Sequence, residues 1–270
     1  MTRVLSGAVL VAVAVAVVWF AHPLLFLAVA EALLALAFVE YAKLAAAGGT
    51  PIPFSAALAA TMLTSLGVGA TYWAGDRLVG TGVALDAIFI SGFVALAAMT
   101  LTSWKGERDA LARAAAAVFP MLYLGLPIGS MLAIRTLPGR EALFLLMLAV
   151  MVSDTAQYYT GRAFGQRLLA PSISPKKTIE GAIGGFVFGA LTLAVAGAWW
   201  LPRFPIGFRA LLGVALVALG IAGDLFESML KRSAGMKDSS TLIPGHGGVL
   251  DRIDALLFAA PVYYIVLKYS

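Results

Sequence analysis

The sequence predicts an all-α, polytopic integral membrane protein with about nine transmembrane helices. Three observations carry this. Of 270 residues, 61% are hydrophobic and 12% charged, where a soluble domain has about 25% charged residues. The mean hydropathy is +0.94. Apolar runs long enough to cross a bilayer, which takes about 20 residues, recur along the whole chain between short polar turns.

The first run, 4–20, follows Arg3 and could be taken for a signal peptide. It is read as a retained span because it is about 17 residues long, enough to cross, and ends in Trp19-Phe20-Ala21-His22-Pro23 with no small-residue cleavage pattern. Further spans are expected at 23–45, 54–74, 79–102, 110–135, 141–164, 179–201, 207–231 and 250–268, with thin turns at His22-Pro23 and at 75–80. Aromatic pairs at 72–73, 199–200 and 263–264 read as interfacial belt residues. Gly181, Gly185 and Gly189 repeat at four-residue spacing, a small-residue face for helix packing. Glu31 lies mid-span; lining a cavity and pairing with an arginine both stay open. The organisation is read as N-terminal transmembrane helices over 1–140, forming a lipid cavity or an oligomer contact, and a C-terminal catalytic region over 141–270. There is no cysteine, so no disulfide framework. The net charge of +5 comes without a basic stripe interleaved with aromatics, which argues against nucleic-acid binding.

The polar chemistry concentrates in 220–254. On a helix, Asp224, Glu227, Ser228 and Lys231 fall on one face at i, i+3, i+4 and i+7, with Arg232 beside them. A loop carries Lys237 and Asp238, then the turn Pro244-Gly245-His246-Gly247-Gly248. Asp251, Arg252 and Asp254 open the next helix. Carboxylates from two helices suit a hard cation such as Mg²⁺, which takes oxygen ligands and keeps waters for phosphates. The cations suit a polyanion, and glycines 245, 247 and 248 let backbone amides approach a phosphate. Asp251 at a helix start could equally be a cap. For Asp224 and Glu227 the competing reading is a structural pair with Lys231 or Arg232. For Asp254 it is polar packing at a helix start, and for His246 a plain turn residue.

A second stretch has Asp154 near the end of a span, Gly161-Arg162-Ala163-Phe164-Gly165, then Ser174-Pro175-Lys176-Lys177-Thr178-Ile179-Glu180-Gly181. Ser174 and Thr178 can cap the following helix with Pro175 in its first turn. Lys176 and Lys177 then sit near a helix N-terminus, where the macrodipole disfavours cations and an arriving polyanion would be welcome.

These two stretches resemble the phosphatidate cytidylyltransferases (CDP-diacylglycerol synthases). The likeness rests on Ser228, Leu230, Lys231 and Arg232, on Lys237-Asp238, and on the unbroken run Pro244 to Asp254; it covers about 154–254. The resemblance implies transfer of CMP from CTP to phosphatidic acid, giving CDP-diacylglycerol and pyrophosphate in phospholipid biosynthesis. It implies Mg²⁺, with a second cation suggested by the number of carboxylates, and a homodimer. The expected catalytic residues are Asp224, Asp251, Lys231, Arg232, Lys237 and Arg252. The expected substrate contacts are Ser174, Lys176, Lys177, Thr178, Glu180, Ser228, Asp238, His246, Gly247 and Gly248, and the expected metal ligands Asp224, Asp251, Glu227 and Asp254. Arg162 is a weaker phosphate contact.

Nine spans put the N-terminus and the loops after even-numbered spans on one face, with thirteen of the 19 Lys and Arg. Without the eight of these thirteen that lie in 162–252 the faces stand at five against six, so positive-inside alone does not choose. A CTP substrate does: the site should face the cytoplasm, at the inner (plasma) membrane. The same parity puts the 174–181 and 232–254 stretches on one face. Two other classes stay in view. One is a CTP-dependent polyprenol or phytol-type lipid kinase, in which an alcohol attacks the γ-phosphate. The other is a transporter of a phosphorylated solute, for which inverted repeats are expected and none is evident.

Overall fold

The computed structural model describes residues 2–70, 85–106, 108–240 and 247–270. It is helical almost throughout: α1 (Thr2–Phe20), α2 (Pro23–Ala47), α3 (Phe54–Ala70), α4 (Leu85–Ser103), α5 (Ala110–Pro120), α6 (Leu126–Thr136), α7 (Arg140–Phe164), α8 (Ile179–Trp200), α9 (Ile206–Ser233) and α10 (Leu250–Tyr269). A π-helical turn, Met121–Gly125, joins α5 to α6. Pro120 lacks an N–H and crowds the preceding turn, and a wider turn at this point absorbs the fault without ending the helix.

Among the described residues, six helices are long and apolar enough to cross a membrane: α2, α4, the α5–α6 unit, α7, α8 and α9. Each expected span coincides with a helix or, at 110–135, with the jointed α5–α6 pair. The 75–80 turn, residues 71–74 of the third span and residues 79–84 of the fourth lie outside the described residues.

Two corrections concern local structure. Leu168–Ala170 (β1) and Ser174–Thr178 (β2) pair antiparallel, so the chain is not purely helical. Ser174 and Pro175 therefore do not open α8. A residue before proline is driven to extended backbone, and Ser174 follows that bias. Thr178 alone caps α8, its Oγ1 accepting from Gly181 N at 3.1 Å. The second correction is Tyr263, which is fully buried and belongs to the core, not to an interfacial belt.

One core cluster joins α1, α2 and α6 to α7–α10, with Phe26, Leu132, Leu146, Leu193, Leu216 and Tyr263. Another joins α2–α5 and the π-turn to α10, with Leu34, Phe38, Leu96, Met121, Leu124 and Leu257. Helices α2 and α10 contribute to both. The glycine face of α8 meets its neighbours as its spacing predicts. Gly181 and Gly185 lie against Gln157 of α7, and Gly189 against Ser153 and Val217. Small residues let these helices touch backbone to side chain, where packing replaces a hydrophobic drive that lipid does not supply.

Candidate active site

Helices α9 and α10 form an antiparallel hairpin, and each carries two carboxylates three residues apart on its inner face. Gly223 makes the register possible. A Cβ there would strike the Asp254 carbonyl, so the helices approach closely only because position 223 has no side chain. Asp224 lies within electrostatic reach of Asp254, and Asp154 of α7 joins them. One turn further along α9, Glu227 faces Asp251 across the Lys231 ammonium, which pairs with both. Asp224 is nine residues from the end of α9. At 1.5 Å per residue the centre of charge sits about 14 Å inside the hairpin.

The two sequence stretches do meet. Lys177 Nζ lies 2.6 Å from Asp224 Oδ2, which joins the hairpin strand β2 to α9 on one face. Along β2, Lys177 is half-buried and Lys176 exposed. Glu180 folds back on the hairpin: its carboxylate accepts from Gln166 N at 3.0 Å, Arg167 N at 3.2 Å and Arg167 Nε at 3.0 Å. Thr178 and Glu180 thus hold the strand that presents the lysines. Ser174 forms the other end of the register, opposite Ala170.

Asp251 is held from several sides. Its Oδ2 accepts from Ser239 N at 3.1 Å, Ser239 Oγ at 2.7 Å and Gly248 N at 2.8 Å. Its Oδ1 faces Lys231. The helix-start reading and the charged-site reading therefore both apply to this residue, one to each oxygen. Asp254 accepts from its neighbour Ala255 N at 2.7 Å. Ser228 Oγ is 3.5 Å from Asp224, at the outer edge of a hydrogen bond. Arg232 donates to Met236 O at 3.0 Å and closes the end of α9. Lys176, Arg232, Lys237, Asp238 and Arg252 are exposed around the mouth. Gly247 adopts φ +77°, a left-handed turn that glycine enters without strain. His246 lies outside the described residues.

One residue of this centre escaped the sequence reading. Glu40, on α2, is 2% exposed and accepts four hydrogen bonds. They come from Ser239 Oγ at 2.9 Å, Ser240 Oγ at 2.6 Å, Val249 N at 3.0 Å and Leu250 N at 2.8 Å. An acid inside an apolar run is a functional flag in a membrane protein, and that flag was present at position 40 as at Glu31.

The donor set fits a hard divalent cation. It consists of carboxylates, five of them (Asp154, Asp224, Glu227, Asp251, Asp254) beside two lysines. Glu227 is 1% exposed; among the described residues its Oε1 has no hydrogen-bond partner and its Oε2 meets only Lys231. A buried carboxylate oxygen left without a donor is costly unless something else satisfies it. Among the described residues no three acidic or histidine side chains converge as one ready metal cluster. The carboxylates stand as two linked pairs.

Helices and site together define a multi-pass membrane protein with a charged centre held between two of its helices. All 270 residues match the Cytidylyltransferase family, and the chain belongs to it. It is 49% identical over 131 residues to the phosphatidate cytidylyltransferase of Haemophilus influenzae, covering 46% of this chain and 45% of that one. It is 43% identical over 125 residues to that of Aquifex aeolicus, covering 46% of each. With the phosphatidate cytidylyltransferase of Thermotoga maritima the identity is 37% over 190 residues, 68% of each chain. The match spans about half the length of the first two relatives.

Proposed function

We propose that this chain is a phosphatidate cytidylyltransferase: it moves a cytidylyl group from CTP to phosphatidic acid and releases pyrophosphate. The observation that carries the reading is the α9–α10 hairpin, where carboxylates at i, i+3 on both helices surround Lys231 and meet Lys177 of the preceding strand.

A phosphate oxygen of phosphatidic acid attacks the α-phosphorus of CTP. The new P–O bond forms as the bond to the bridging α–β oxygen breaks, and pyrophosphate departs with that electron pair. The nucleophile is already an anion, so no general base is needed. The barrier lies in bringing two polyanions together, and fixed cations aimed at the developing charge lower it. Lys177, held by Asp224, and the exposed Lys176, Arg232, Lys237 and Arg252 bind the phosphates. Lys231 stays in the hairpin and keeps Glu227 and Asp251 in register. Ser228, Asp238, Gly247 and Gly248 border the same mouth, and His246 is proposed as a further substrate contact on its sequence alone. Thr178, Glu180 and Ser174 act by holding β2. Asp224, Asp251, Glu227 and Asp254 would hold Mg²⁺, with Asp154 near a second cation. When bound, the metal supplies positive charge to the phosphate oxygens.

The lipid tails stay in the bilayer while the head group reaches the hairpin from the side. We further propose nine spans, with α1, α3 and α10 joining the six apolar helices above, and α2–α6 supporting the lipid cavity of the N-terminal region. The mouth faces the cytoplasm at the inner membrane, where CTP is found, and the protein works as a homodimer. Identifying the released nucleotide fragment tests the reaction. Purified protein given CTP, phosphatidic acid and Mg²⁺ should release pyrophosphate in step with CDP-diacylglycerol. Release of CDP on supplying a long-chain alcohol, with no pyrophosphate from phosphatidic acid, would mean lipid kinase chemistry instead.

A further inference from the structure

Glu40 lies on α2, about 200 residues from its partners in sequence, and its contacts bear on Asp251. Each of its oxygens takes one serine hydroxyl and one backbone amide: Oε1 from Ser240 and Val249, Oε2 from Ser239 and Leu250. Val249 and Leu250 carry the first amides of α10, which have no carbonyl partner inside the helix. A carboxylate there also meets the positive end of the helix dipole. Helix α10 is therefore capped from another helix.

Ser239 Oγ lies 2.9 Å from Glu40 Oε2 and 2.7 Å from Asp251 Oδ2. A hydroxyl has one proton to give, so the two carboxylates share it. Ser239 N and Gly248 N also donate to Asp251 Oδ2. This leaves Asp251 Oδ1 as the oxygen turned to Lys231 and the site. A Cβ at Gly248 would strike both Ser239 Oγ and the Glu40 carboxylate, so the clasp closes only over glycine.

We propose that Glu40 is a positioning residue of the cytidylyl-transfer reaction: it fixes Ser239, Ser240 and the start of α10, and through Ser239 and Gly248 it sets which oxygen Asp251 offers to a divalent cation. This rests on the transferase reading above. It gives α2 a part in the active site.

The test uses the full chain in detergent with Glu40→Gln, which keeps the shape but sets an amide N–H against the donors of the clasp. Glu31→Gln is the control, a buried acid of the same helix that lies near Ser65 of α3 and shows no contact with 239–240 or 247–252 among the described residues. Two quantities are read: amide hydrogen exchange over 247–252, and the midpoint of Mn²⁺ binding by electron paramagnetic resonance without substrate. Glu40→Gln should speed exchange over 247–252 by about tenfold or more, the factor expected for losing a charge-assisted hydrogen bond. Exchange in α7 and α8 should be unchanged, and the Mn²⁺ midpoint should rise about tenfold. Glu31→Gln should leave both within twofold. If Glu40→Gln does not fold, Ser240→Ala, which removes one donor to Glu40 Oε1, should give the same pattern at about threefold. Unchanged exchange, faster exchange with an unmoved Mn²⁺ midpoint, or no Mn²⁺ binding by the parent protein would each overturn the proposal. Failure of the parent protein to label phosphatidic acid would instead sink the transferase reading, and the exchange and Mn²⁺ results would still judge Glu40.

Discussion

Lys231→Met removes one ammonium that two carboxylates share and keeps most of the apolar stem. Glu227 suffers most, because it is 1% exposed and Lys231 is its sole charged partner among the described residues. Breaking a buried pair by deleting one member costs about 3–5 kcal/mol, since the other charge is left uncompensated. Asp251 loses less, because Ser239 N, Ser239 Oγ and Gly248 N still donate to it. The two losses share one ammonium and do not add, so the overall cost should be about 4 kcal/mol. Removing the orphaned charge as well, in Lys231→Met with Glu227→Leu, should restore roughly half of that. Unfolding free energies from SDS titration in mixed micelles would measure both variants. A single variant within about 1 kcal/mol of the parent, or a double variant no more stable than the single, would refute the claim that Lys231 is the counter-charge of the hairpin. Cytidylyl transfer should be lost in both variants, since neither keeps the ammonium between Glu227 and Asp251.

Three other changes follow from the same geometry. Gly223→Ala must push α9 from the Asp254 backbone; it should cost about 1–3 kcal/mol as overpacking and lower kcat at least tenfold in a steady-state transfer assay. Thr178→Ala deletes the α8 cap at Gly181 N, costing about 1 kcal/mol by SDS titration and loosening the strand that carries Lys177. Chelation of divalent cations should abolish transfer, and Mg²⁺ should restore it while Ca²⁺, larger and less strictly octahedral, should not; full activity in excess chelator would contradict the assignment of the carboxylates.

The helices were legible because a lipid-facing helix must be apolar along its length, and the turns between runs are short. The α9–α10 carboxylates were legible because helical spacing turns i, i+3 into one face; Asp224 with Glu227 and Asp251 with Asp254 sit as that spacing requires. Counting spans puts 174–181 on the same face as 232–254, but the pairing of Lys177 with Asp224, further down α9, is a contact that parity does not give. The hairpin was missed although Ser174 precedes Pro175, because β1 is only three residues long and carries no alternation to read. Glu180 accepts from the Gln166 and Arg167 amides of the turn it closes, a contact that spacing does not reveal. Tyr263 looked interfacial beside Tyr264, but α10 runs through the centre of both cores. An acid inside an apolar run is visible at Glu40, but its role is not: its partners lie about 200 residues away, and local pattern carries no trace of a cap supplied by another helix.

The most direct test of the account is transfer of label from α-³²P CTP into lipid by the parent protein and by Asp224→Asn, with phosphatidic acid and Mg²⁺ present. Label in CDP-diacylglycerol for the parent protein, falling at least a hundredfold in the variant as expected when a charge-stabilising group is removed, is the predicted result. Equal labelling by both proteins would take the reaction out of the α9–α10 hairpin, and no lipid label from either would contradict the proposed reaction itself.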